Sequence, residues 1–140
     1  MSERNLVDIV REARTVSAAL AQATRDLERV VGDVEAAIAS LGLGGPARVY
    51  LPHGALAFRP FGEGREFRLV VESDRPHHRM RLLATVRDGL LEEGIAAIPA
   101  LLTELTRGAR EMTTEVEARA AEVRVFRDNL PKIDQKSAPK

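Results

Sequence analysis

Leu6, Ala13, Leu20, Leu27, Val34 and Leu41 recur at every seventh residue, and Ile9, Val16, Ala23, Val30 and Ala37 each fall three places later. Eleven consecutive positions of one seam are therefore apolar. This 3-4 alternation keeps one stripe of a long helix turned toward a neighbouring helix. It predicts a helix over residues 2–41, whose seam from Leu6 to Leu41 is a rod roughly 54 Å long at the ~1.5 Å rise of an α-helix. Such a rod cannot bury its own stripe, so something must lie along it. Val10, Val31 and Ile38 widen the stripe on one flank beyond the need of a two-stranded coiled coil, which suits a bundle. Ser2 is the expected N-cap. The run Gly42-Leu43-Gly44-Gly45-Pro46 is the expected stop, with glycine supplying a left-handed exit and proline forbidding continuation.

From Ile95 the same spacing returns through Ile98, Leu102, Leu105, Ala109, Met112, Val116, Arg119, Val123, Phe126, Leu130 and Ile133. A capping box at Thr85 and Asp88 would open a helix over 86–97. Pro99 would kink or break the pattern before a long helix over 99–130. Arg119 alone interrupts this second seam. Either the register shifts locally, turning Ala120 inward while the Arg stem snorkels, or the guanidinium specifies register by pairing with an acid such as Asp26 of an opposing helix. Two rods of matched length predict antiparallel packing, with a second copy completing a four-helix bundle. The candidate oligomer seam comprises Leu6, Ile9, Val10, Val16, Leu20, Leu27 and Val30, with Leu102, Leu105, Met112, Val116, Val123 and Phe126.

Between the rods, over 47–83, the period changes to two. Residues 48–51, 55–59 and 65–72 read as three strands of an antiparallel meander, and 79–83 as a fourth strand or the start of a helix. Leu56, Phe58, Phe67, Leu69 and Val71 would face a helix, and the opposite face would be wet. The expected fold class is therefore α+β, in one domain over 1–131, with a polar disordered tail over 132–140. In outline this helix–sheet–helix order resembles prefoldin-like chaperone subunits and small nucleoid-associated dimers. The extra strands and Pro99 depart from a simple prefoldin arm.

Composition narrows the chemistry. The chain has no cysteine, which excludes disulfides and thiolate sites. Its 21 basic and 21 acidic side chains cancel, so no global field draws in nucleic acid or an anionic membrane. No run of ~18 apolar residues is present to span a membrane, and no signal peptide opens the chain, which predicts a cytoplasmic protein. Abundant Ala, Gly and Arg point to a GC-rich bacterial genome.

The densest cationic stretch, Arg75, His77, His78, Arg79 and Arg81, is a candidate site for a phosphate or an acidic partner, or else a solvated loop. Its adjacent histidines lack a third ligand at metal spacing, and no metal site is expected. His53 reads as a turn residue. Arg48, Arg59 and Arg68 could line one sheet face, and with Tyr50, Phe58 and Phe61 they suggest a single-strand nucleic-acid platform, unless Phe58 and Phe67 are core. The scattered acids form no close carboxylate pair, and no nucleophile sits in a motif, so no catalytic residue and no cofactor are expected. These readings predict a non-enzymatic scaffold or adaptor subunit, a homodimer that presents a surface to a protein partner. The alternatives are a nucleic-acid-binding dimer using the basic region 48–81, and a small regulatory ligand-binding module.

Overall fold

The computed structural model describes the backbone of residues 3–75 and 79–137 and the side chains of 5–75 and 79–130. The chain is α+β. A long helix α1 (Glu3–Ser40) leads into strands β1 (Ala47–Leu51), β2 (Gly54–Phe61), β3 (Glu66–Ser73) and β4 (Arg81–Leu82). A 3-10 turn over Leu83–Thr85, helix α2 (Gly89–Ala96) and long helix α3 (Ile98–Ser137) complete it. The sheet is an antiparallel meander in the order β1-β2-β3-β4.

Local chemistry sets most boundaries. Gly42 takes φ +65°, the left-handed exit expected at the end of α1. Helix α2 starts later than the capping box implied. Asp88 is itself the N-cap, accepting from the Leu90 amide at 3.0 Å, while the Thr85 hydroxyl donates to the Leu82 carbonyl at 2.8 Å. Pro99 breaks the helix. It occupies the second position of α3, in the first turn, where its missing N–H costs nothing, so α2 ends at Ala96. Residues 79–83 resolve into a two-residue strand followed by the 3-10 turn, and α3 runs on to Ser137, into the segment expected to be a disordered tail. Residues 138–140 lie outside the described residues.

One core sits between the sheet and the helices. Leu56, Phe58, Leu69 and Val71 face it as the alternation required, joined by Val31 and Ile38 of α1, Leu83, Leu90 of α2, and Leu101 and Leu105 of α3. Phe58 and Phe67 stack with ring centroids 5.3 Å apart.

The other face of the sheet is not simply wet. Ala55, Ala57 and Val70 on that face are buried. Arg48 lies opposite Ala57 and Glu72 opposite Ala55, so the Arg48–Glu72 ion pair, at 2.8 Å, spans β2 above the alanines. Arg59 on β2 reaches Met80 Sδ at 3.3 Å, crossing β3 where Val70 lies. Long charged side chains thus roof a small-residue floor.

The expected side-by-side packing of two whole rods is limited to the sheet end. Helix α1 lands on β3 and the 3-10 turn, whereas α3 lands on β1 and β2. Both supply the shared core there, but beyond Leu27 and Ala109 neither seam is covered within the chain.

Candidate functional site

The open seams carry most of the exposed large apolar side chains among the described residues. Leu6, Ile9, Val10, Val16, Leu20 and Val30 on α1, and Met112, Val116, Val123 and Phe126 on α3, are between 41% and 67% exposed. Of the thirteen seam residues picked from the sequence, only Leu27, Leu102 and Leu105 are engaged with the core. Val7 and Val125, also exposed, add to the apolar surface just beside the seams. They were missed because each sits off the 3-4 line, although Val7 stands three residues from Val10 and shares a shallow groove with it and Leu6. At 1.5 Å per residue the open stripes are about 36 Å long on α1, from Leu6 to Val30, and about 27 Å on α3, from Met112 to Leu130.

Arg119 lies exposed on α3 and is bound within its own helix, with Ala120 beside it half-buried. Its Nε donates to Glu115 at 3.0 Å and its Nη1 to Glu122 at 2.7 Å, both on its own helix. Asp26 is likewise held locally, accepting from Gln22 at 3.0 Å and Arg29 at 3.2 Å, so it is not the partner of Arg119 in this chain.

A second candidate is a cleft of about 590 Å³ at the N-terminus of α2, lined by His53, Arg75, Arg79, Arg81, Asp88 and Glu93 among others. Three arginines of the cationic stretch do converge there. His77 and His78 lie outside the described residues. Acids meet the cations: Arg81 Nη2 stands 3.5 Å from Asp88 Oδ2, and His53 donates its amide to Glu93 Oε1 at 2.9 Å with its ring Nδ1 3.2 Å from Oε2. Among the described lining residues, Arg75, Arg79 and Arg81 are matched in number by Asp74, Asp88 and Glu93. His53 and Glu93 are forty residues apart and carry no sequence signal of their meeting. The Leu90 amide bound to Asp88, with Arg81 and Arg75 nearby, holds its carboxyl below the usual carboxylate range. A carboxylate depressed in the folded state stabilises the fold above its unfolded pKa and loses that contribution as pH falls through the folded value. Asp88→Asn is therefore expected to lower stability at neutral pH and to flatten the pH dependence below about pH 4, where the wild-type cap titrates. Thermal melts of the two proteins between pH 3 and 7 check it, and parallel pH curves would contradict the assignment.

The sheet face holds the third candidate, and its three arginines are engaged. Arg48 pairs with Glu72 and stacks 5.3 Å from the Tyr50 ring centroid. Arg68 curls around the sheet edge to Glu35 at 2.9 Å. Arg59 holds Met80, and its Nε is buried without a hydrogen-bond partner. Tyr50, 83% exposed, is the one strongly exposed ring on that face, because Phe58 points into the core and Phe67 packs against it. A row of stacking aromatics is thus missing from the described face.

Among the described residues no group of three or more His, Asp or Glu side chains is placed to hold a metal ion, and no helix is long and apolar enough to cross a membrane. No family model, curated protein or solved structure matches the chain.

Proposed function

We propose that this chain is a non-enzymatic scaffold or adaptor subunit that self-associates through its two long helices. The supporting observation is the pair of open seams: ten large apolar side chains on or beside the heptad lines of two helices, each in water. Together the stripes are about 60 Å long and a helix is about 10 Å wide, giving on the order of 600 Å² per copy. Stable partners bury about 800 Å² each, so the two stripes together approach the size an interface uses and lie at the upper end of the largest patches on monomers, about 300–600 Å². Burying half of each side chain returns ~1 kcal/mol apiece. The sheet end remains free to present the α2 cleft or the Tyr50 face to a protein partner.

Light scattering across a micromolar concentration series tests the reading. The expected mass is at least twice the 15.3 kDa of one chain. Leu20→Asp should return it toward the single-chain value without changing the sheet's circular dichroism. A wild-type mass of one chain throughout the series would overturn the proposal.

A further inference from the structure

We propose that a second copy lays its α3 antiparallel along α1, and that Arg119, seated on Ala13 of the other copy, sets the register of the pair. This rests on the self-association proposed above and goes further by fixing which residues meet.

The register follows from where the two seams leave the core. Leu27 is the last α1 seam residue packed on the core, and Leu105 the last buried one on α3. Two heptads outward from Leu27 lies Ala13, and two heptads outward from Leu105 lies Arg119. With the bases level, Leu20 meets Met112, Val16 meets Val116, and Leu6 meets Phe126. Large apolar groups face one another in those layers, and the one charged seam residue falls on an alanine, which leaves room for a guanidinium to keep its partners. A slip of one heptad either way would set Arg119 on Leu20 or Leu6 and desolvate it against a leucine, so the alternatives are penalised. A polar group at a single seam position is an attested way to specify register.

Charge is consistent with a second copy as the occupant. Residues 5–30 carry four basic and four acidic side chains, and 106–130 carry five of each, so neither arm repels the other. In this register the flanking positions bring Glu12 opposite Glu122, the carboxylate Arg119 already holds at 2.7 Å. Glu12 has no ion pair among the described residues, and a guanidinium lying between the two carboxylates serves both. Asp26 falls opposite Gly108 and Glu115 opposite Ala19, so no other acid pair is forced together.

The chain contains no cysteine, so single-cysteine variants report contacts cleanly. Val16→Cys mixed with Val116→Cys and oxidised with glutathione disulfide is expected to give a covalent two-variant dimer. Each chain then holds one thiol, so the bond must join two copies. Val16→Cys mixed with Val123→Cys, one heptad out of register, should give none. Adding Arg119→Leu to the second mixture should make its band appear, because the slipped register is no longer penalised. A scattering mass of two chains with no in-register crosslink, or with Val16→Cys coupling to itself instead, would overturn this inference and leave self-association standing. A single-chain mass would remove both.

Discussion

Replacing Glu35 by alanine is expected to lower the thermal midpoint by roughly 6–12 °C, following from about 2–4 kcal/mol at the ~3 °C per kcal/mol typical of a chain this size. Glu35 is the one buried charged side chain among the described residues, 5% exposed. A single oxygen, Oε2, accepts from the Leu69 amide at 2.7 Å and from Arg68 Nε at 2.9 Å. The need arises at the sheet edge. Strand β4 pairs with only Val70 and Val71 of β3, so Leu69 lies just past its end. The carboxylate on α1 takes the place of the missing strand and bolts the helix to the sheet. In the alanine variant Arg68, partly exposed, can turn to water, but the Leu69 amide stays buried without an acceptor, and that orphan carries most of the cost. Glu35→Gln keeps an oxygen acceptor for the amide and loses only the charge, so it should cost about half as much. Circular dichroism melts of the three proteins decide it. Both variants melting within a degree of wild type would mean that the contact contributes nothing.

That contact also marks the limit of what the sequence reveals. The two periodicities separated rods from meander, Gly42 and Pro99 punctuated them, and alternation along β3 assigned Leu69 and Val71 to the core correctly. Glu35, however, reads as one more polar residue on an outer helical face, and Arg68 as one on the outer sheet face. Their pairing needs an edge left short by β4, which no local pattern encodes. The meeting of His53 with Glu93 across forty residues is hidden for the same reason. Burial of Ala55, Ala57 and Val70 escaped notice because alternation reports which face a residue takes, while the roof over that face is made by long side chains from other strands. Above all, the heptads announced that both seams need neighbours, but spacing alone does not say whether the neighbour is in the same chain. Where each helix lands on the sheet leaves the outer parts of both seams exposed within this chain.

Leu105→Ala and Met112→Ala, one heptad apart on the same seam, are expected to behave as different kinds of substitution. Leu105 is 2% exposed within the core of sheet and helices, and its truncation should cost about 2–5 kcal/mol, a fall of roughly 6–15 °C in midpoint at any concentration. Met112 is 61% exposed, so in a dilute, dissociated sample its truncation should change stability by no more than about 0.5 kcal/mol, all the more because alanine is the better helix former. The difference should reverse in character as concentration rises. Assembly adds RT ln(1 + [L]/Kd) to the stability of the folded chain, so the wild-type midpoint climbs with concentration. Met112→Ala weakens that climb, whereas Leu105→Ala lowers the whole curve and leaves its slope unchanged. Melts over a hundredfold dilution separate the two behaviours. If both variants fell equally at every concentration, the outer half of α3 would already be covered within the chain, and the open seam on which self-association depends would not exist.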